Sequence, residues 1–205
     1  MELDKDLKAR QEARDLAARA ETAQKQLAFM PQEKLDAIVE SISKAFSSAA
    51  TELAELAVRE TGFGNVEDKI TKNKFASETV WSAIRDMKTV GVLKGGAGEK
   101  LWEIGVPMGT IAAIVPSTNP TSTVCYKAMI AIKAGCSIVF SPHPKALECT
   151  LRAAKIVAAA AEKAGAPAAS AACATISAAR RVQAIALGWG EKTILFPDFK
   201  AIMVL

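Results

Sequence analysis

Histidine is almost missing from this chain. The only one, His143, stands among four cysteines (Cys125, Cys136, Cys149 and Cys173) that are never at C-x-x-C spacing. A structural zinc site needs four nitrogen or sulfur ligands at short spacings, so no metal is expected. Scattered thiols of this kind read as structural cysteines in a reducing compartment. Aromatic residues are also few, at 5%, and Trp81, Trp102 and Trp189 are isolated from one another and from basic clusters. That excludes a base-stacking platform for nucleic acid. No apolar run approaches the ~18 residues of a membrane span. The first residues also lack the charged start, apolar centre and small-residue cleavage site of a secretory leader. An excess of one charge is missing too. Lysine and arginine number 26 against 22 acidic residues, and within residues 1–29 the two signs balance. Neither nucleic acid nor membrane is therefore an expected partner, and the cytoplasm is the expected location.

What is present is an ordinary globular composition, 50% apolar and 23% charged, in a chain long enough to bury a core without staples. The first ~90 residues carry helical periodicity. Leu3, Leu7, Ala13, Leu16, Ala17, Ala20, Ala23 and Leu27 form one apolar stripe, ended near Pro31. Leu35, Ile38, Val39, Ile42, Phe46, Ala49, Leu53, Leu56 and Ala57 form a second, read as one helix closing at Gly62 and Gly64. A third helix is expected over 66–88 with Val66, Ile70, Phe75 and Ile84 inward. Gly95-Gly96-Ala97-Gly98 reads as a hairpin-like connection, because no helix opens directly after it, and Leu101–Ile104 alternates like a half-exposed strand. From residue 110 the pattern changes. Short unbroken apolar runs at Thr110–Val115, Cys136–Phe140, Ala171–Ile176 and Ala201–Leu205 alternate with helical segments near 121–133, 145–164 and 178–187. Strands without polar alternation, separated by helices, predict an α/β fold with a parallel sheet covered on both faces. Ligands of such sheets bind beyond the carboxyl ends of the strands, here Pro116–Asn119, Ser141–Pro144 and the stretch near Ser177.

Two of these exits resemble a known family. The stretch Gly109-Thr110-Ile111-Ala112-Ala113-Ile114-Val115-Pro116-Ser117-Thr118-Asn119-Pro120-Thr121-Ser122-Thr123 resembles the strand and loop of the CoA-acylating aldehyde dehydrogenases. Ile138-Val139-Phe140-Ser141-Pro142-His143-Pro144 resembles the second strand and Ser-Pro-His-Pro loop of that family. Glu60-Thr61-Gly62-Phe63-Gly64-Asn65-Val66-Glu67-Asp68-Lys69, then Lys72-Asn73-Lys74-Phe75-Ala76-Ser77, looks like a further signature, and Ala164-Gly165-Ala166-Pro167 resembles the turn into the third strand. Ser141, where the non-acylating branch usually has lysine, favours the acylating branch. Residues 168–196 match poorly. Residues 197–205 resemble the strand before the family's Thr-Gly-Gly loop, so that loop and the catalytic domain with its nucleophilic cysteine are expected to be absent.

The resemblance implies an aldehyde-dehydrogenase-like fold: an N-terminal helical layer (1–90), a loop and bridging or oligomerisation strand (91–108) and a partial Rossmann-like NAD-binding domain (109–205). In that family a cysteine thiolate attacks the aldehyde, hydride passes to NAD, and coenzyme A takes the acyl group. Asn119 matches the asparagine whose amide helps hold the tetrahedral oxygen; an amide donates without taking the proton. From the residues alone, Asn119 reads equally as a shaper of an Asn-Pro turn. Pro116, Ser117 and Thr118 match the loop beside the nicotinamide half of the cofactor. Ser141, Pro142 and His143 match the exit beside the adenosine ribose and phosphates, with a surface histidine as the plain alternative. The implied partners are a small aldehyde or acyl-CoA, acetaldehyde being the family's commonest substrate, and a homo-oligomer in the full-length protein. Cys125 reads as an inert buried thiol. Two alternatives stand beside this. One is a non-catalytic, truncated homologue that pairs through Leu101–Ile104 or the helical face of 33–57. The other is an encapsulation helix over 1–28 that directs an enzyme into a microcompartment, against which stands packing of that helix on its own fold. An uncovered apolar strand at Ala201–Leu205 would make the chain marginally stable or self-associating.

Overall fold

The computed structural model describes residues 4–174 and 199–203, the last segment as backbone. Helices α1 (Lys5–Leu27), α2 (Gln32–Ser48), α3 (Ala50–Thr61), α4 (Val66–Lys74) and α5 (Val80–Ile84) precede a hairpin of β1 (Gly91–Lys94) and β2 (Glu103–Gly105). Then come β3 (Thr110–Ile114), α6 (Pro120–Lys133), β4 (Ser137–Ser141), α7 (Leu147–Lys163), β5 (Ala171–Cys173) and β6 (Phe199–Met203).

The second half builds the parallel sheet that the apolar runs predict. Its order is β5-β4-β3-β6, with Thr110 opposite Ser137 and Ile114 opposite Ser141. Every residue of β4 is buried. Alternate side chains serve two cores, as a strand's period of two requires. Ile111, Ala113, Ile138 and Phe140 face a large cluster with α2, α6 and α7, whereas Ala112 and Val139 meet Ala13, Leu16 and Ala20 of α1. The first helix therefore roofs the sheet face opposite α6 and α7, packing on its own fold. Its inward side chains are mostly alanine, which lets the helix lie close to Ala112. Each large aliphatic side chain buried on the other face contributes about 1.5–3 kcal/mol. The face of α2 and α3 offered as a pairing surface belongs to this core, since Leu35, Ile38, Val39, Ile42, Phe46 and Leu53 are enclosed.

Boundaries depart from the sequence expectations in four places. The helix expected to run unbroken to Gly62 is divided at Ala49 (φ −95°, ψ 6°). Ser48 Oγ donates back to the Lys44 carbonyl at 2.9 Å, a bond of the kind that bends helices, and Ser47 Oγ donates across to Glu78. Helix 66–88 is interrupted by a π turn over Phe75–Thr79, where Ser77 Oγ donates to the carbonyls of Asn73 (2.9 Å) and Lys74 (3.2 Å). Its fully buried side chains are Lys69, Asn73, Ala76 and Ser77; of the four expected inward, Ile84 packs half-buried against the core, Val66 and Ile70 are half-buried, and Phe75 is 60% exposed. Leu101 and Trp102 lie ahead of β2 rather than in it. The described strands begin or end one to three residues from the expected runs, β6 starting at Phe199. The helix expected over 178–187, Ser177 and Trp189 lie outside the described residues.

Gly95–Gly98 does link two antiparallel strands, with Val92 opposite Ile104. The root of this hairpin is tied to the helices. Gln32 Oε1 accepts from the Thr89 and Val90 amides (2.8 and 3.2 Å), and Thr89 Oγ1 donates to the Lys133 carbonyl. Lys133 Nζ, itself enclosed, meets Asp36 Oδ1 at 2.6 Å and the Arg85 carbonyl at 2.8 Å.

Candidate functional site

The two loops singled out in the sequence leave the sheet side by side. Because β3 and β4 run parallel and in register, both exits open on one rim, and the ladder continues past β3 with Val115 N donating to Ser141 O at 3.0 Å. Asn119 is the residue before α6. Its φ of −141° and ψ of 60° lie outside the helical and extended basins, and its side chain makes no capping hydrogen bond. The turn is closed by its backbone instead: the Asn119 carbonyl accepts from Thr123 N at 3.2 Å and Thr123 Oγ1 at 2.7 Å. The half-buried amide lines an open cleft of about 580 Å³ with Pro116, Thr118, Ser122, Phe75 and Tyr126.

The other expected residues are distributed unevenly. Pro116 and Thr118 share the cleft with Asn119, and Ser117 stands half-buried between them. Ser141 and Pro142 are enclosed at the neighbouring exit, so they shape the rim while its more exposed surface is supplied by His143 and Pro144. His143 is half-buried, and its Nδ1 accepts from Lys145 N at 3.1 Å. That bond caps the short helical turn Pro144–Ala146 and leaves Nε2 as the ring's other polar atom.

Three side chains behind the Asn119 turn had no assigned role in the sequence. Lys69 Nζ donates to the Thr118 carbonyl at 2.8 Å. Asn73 Oδ1 accepts from Thr121 Oγ1 at 2.8 Å while its Nδ2 donates to the Ala50 carbonyl at 3.0 Å. Lys127 Nζ donates to the carbonyl of Ile114, the last residue of β3, at 2.9 Å. Burial lowers Lys69 and takes Lys127 down to about 8, because a low-dielectric surrounding disfavours the ammonium. A signal for Lys127 existed: a single lysine inside the apolar run Val124–Ile132. Lys69 and Asn73 carried a fainter one, a polar pair four apart in a stretch that matches the family.

Glu60, from the same stretch, reaches from α3 to the start of α7 and accepts from Glu148 N and Cys149 N, both at 2.8 Å. Burial opposes its ionisation, yet the hydrogen bonds from Cys149 and Glu148 prevail and hold the carboxyl below its usual value. Gly62, at φ 70°, then turns the chain out of α3 through the left-handed region. Cys125 is fully buried, with Sγ 3.7 Å from the Ala76 carbonyl, and burial pushes its thiol up. It is not an activated nucleophile. Among the described residues no His/Cys/Asp/Glu group could hold a metal, and no helix is long and apolar enough to cross a membrane.

The family model described as "Aldehyde dehydrogenase family" matches residues 5–187. The chain belongs to the aldehyde dehydrogenase family. It is similar to the bifunctional aldehyde-alcohol dehydrogenase of Escherichia coli (strain K12), 45% identical over 152 residues, which are 74% of this chain and 17% of that protein. It is 37% identical over 154 residues to the succinate-semialdehyde dehydrogenase (acetylating) of Clostridium kluyveri, covering 75% of this chain and 34% of the other. Among solved structures, an acetylating aldehyde dehydrogenase from Geobacillus thermoglucosidasius superposes with TM-score 0.82 at 50% identity, over 85% of this chain and 39% of that one. A probable aldehyde dehydrogenase from Listeria monocytogenes reaches 0.87 at 46% identity, over 98% and 42%. The chain thus spans between 17% and 42% of the length of these relatives. The acylating resemblance read from the loops at Asn119 and Ser141 accords with the names of these relatives.

Proposed function

We propose that this chain is the cofactor-domain portion of an NAD-dependent, CoA-acylating aldehyde dehydrogenase, which converts an aldehyde, coenzyme A and NAD reversibly to acyl-CoA and NADH. Its division would follow 1–90 as helical layer, 91–108 as bridging segment and 109–205 as part of the nucleotide-binding domain, in a cytoplasmic protein. The observation that carries this reading is the Asn119 amide, uncommitted to its own turn and facing a cleft at the rim where β3 and β4 end.

That rim fits a dinucleotide in kind. Two adjacent strand exits, each framed by proline, bring backbone and small polar groups to one edge, with Pro116 to Thr118 for the nicotinamide side and His143 beside the enclosed Ser141 and Pro142 for the adenosine side. NAD, when bound, accepts the hydride. Asn119 contributes an N–H donor to the oxygen that gains negative charge as the aldehyde carbon becomes tetrahedral. A donor that is already fixed stabilises that charge without reorganising, which is worth about 3–4 kcal/mol. Acetaldehyde is the proposed substrate. Relatives named for succinate semialdehyde, and for sulfoacetaldehyde in Cupriavidus necator, make anionic aldehydes the second substrate class to assay.

The test is N119A in the natural protein that carries this chain, assayed for NADH formation dependent on both acetaldehyde and coenzyme A. The expected result is a kcat lowered roughly 100- to 1000-fold; an unchanged kcat refutes the reading. The 205-residue chain by itself is expected to be silent in the same assay, and turnover by it would mean that one of its own cysteines serves as nucleophile. A pairing role has one specific support, the exposed apolar hairpin β1–β2, which we read as the contact between copies of the enzyme rather than as a separate function.

A further inference from the structure

Helix α4 has few apolar residues with which to face the core. The side chains it turns inward are Lys69, 4% exposed, and Asn73, 1% exposed. Polar groups withdrawn this far from water are destabilising unless fully partnered, and both are partnered on the same short segment of another element. Lys69 holds the carbonyl of Thr118, and Asn73 holds the hydroxyl of Thr121. The two donors and acceptors stand one helical turn apart, so they share a face, and what lies between their targets is Asn119 and Pro120. Asn73 is also anchored from behind, through its Nδ2 on the Ala50 carbonyl of α3. Asn119 adopts a backbone conformation outside the regular basins, one that persists only where neighbouring contacts hold it.

We propose that Lys69 and Asn73 are positioning residues that grip the chain on either side of Asn119 and thereby aim its amide into the cleft. This rests on the reading of Asn119 as the donor to the reacting oxygen. Neither residue touches substrate; both act through the turn. An error of about 1 Å in such a donor can lower the rate about 100-fold, so the grip is felt in turnover rather than in binding. The buried ammonium also brings positive charge against the carbonyl of the residue before Asn119.

The experiment is a double-mutant cycle in the natural protein, with K69M, K69R, T121V and N119A, combined with hydrogen exchange of the Asn119, Thr121, Ser122 and Thr123 amides. Support would be a kcat lowered about tenfold or more by K69M with the aldehyde KM changed less than about twofold, substantial recovery in K69R, and a K69M effect below about twofold once Asn119 is already alanine. An equal K69M factor in both backgrounds overturns the proposal, because Lys69 would then act elsewhere. Should N119A leave kcat unchanged, the donor reading fails, and exchange decides the positioning claim alone. Amides of the turn exchanging about tenfold faster in K69M or T121V, with those of β3 unaltered, uphold it; unaltered turn amides refute it. If K69M does not fold, T121V, which removes one hydroxyl at nearly constant volume, carries both readouts.

Discussion

A lysine whose Nζ sits against a strand's last carbonyl inside an apolar helix leaves a signature in the dependence of stability on pH. Lys127 has a native value of about 8, against ~10.4 in an unfolded chain. Between those two values the unfolded state binds the proton that the native state has lost, so the Lys127 contribution to stability rises with pH across that window. Below pH 8 both states are protonated and the cost of burying the ammonium is fully present. The thiols of Cys125, Cys149 and Cys173 act oppositely. Burial raises each of them, Cys173 to about 12, so above the ordinary thiol value of ~8.5 they make stability fall. Comparison with K127M separates the two trends. Urea unfolding at pH 7, 8, 9 and 10 is expected to show the wild type gaining on K127M by on the order of 1–2 kcal/mol between pH 8 and 10; a gap independent of pH contradicts it. At this scale the sequence was legible where a residue's meaning is local. Asn119 announced itself through the Asn-Pro step that opens a helix. Lys69 and Asn73 did not, because their partners lie 49 and 48 positions away, and only the packing of α4 on the β3–α6 turn brings them together.

Among the elements, the strands were readable because burial on both faces leaves a run of apolar residues with nothing polar between them. The interruptions of the helices were not, since they come from serine hydroxyls competing for backbone carbonyls at Lys44, Asn73 and Lys74. The start of α7 shows the same non-local logic. Its first turn lacks a side-chain cap of its own, and the carboxylate that serves it belongs to Glu60, 88 residues earlier. A carboxylate on two free N–H groups at a helix start combines a cap with a favourable dipole interaction. E60A is expected to cost about 1–2 kcal/mol, and E60Q about 1 kcal/mol because one charged acceptor remains as a neutral one. Since the native carboxyl is held below its usual value, its contribution is complete above the unfolded value of ~4.3 and disappears as pH falls through the lower native one. The gap between wild type and E60Q in denaturant midpoint should therefore narrow on acidification from pH 6 to pH 3; a gap that widens would show that the carboxylate is not the cap.

At the scale of the whole molecule, the exposed large apolar side chains among the described residues are scattered singly, as at Phe29, Phe63 and Met87, with one concentrated exception. Leu101, Trp102, Ile104, Val106 and Met108, in and around β2, are between 52% and 72% exposed. A two-stranded ribbon is at best marginally stable in water without a face to pack on, and contiguous exposed apolar surface of this kind marks an association site. The rigid root of the hairpin, with Gln32, Asp36 and Lys133 fixing the residues at its base, presents that surface in one orientation, as a contact between identical copies requires. The sequence showed the alternating strand here but not its isolation, because exposure is a property of what the other elements leave uncovered. Sedimentation velocity over a dilution series should therefore reveal concentration-dependent association. I104D, which places a charge in the middle of the patch, should weaken that association by about 100-fold or more. It should leave the far-ultraviolet spectrum and unfolding midpoint nearly unchanged, since Ile104 contributes little to its own fold. A wild-type chain that stays monomeric at about 100 μM, some tenfold above the dissociation constants of weak specific dimers, would show that this apolar surface does not associate with its own copy.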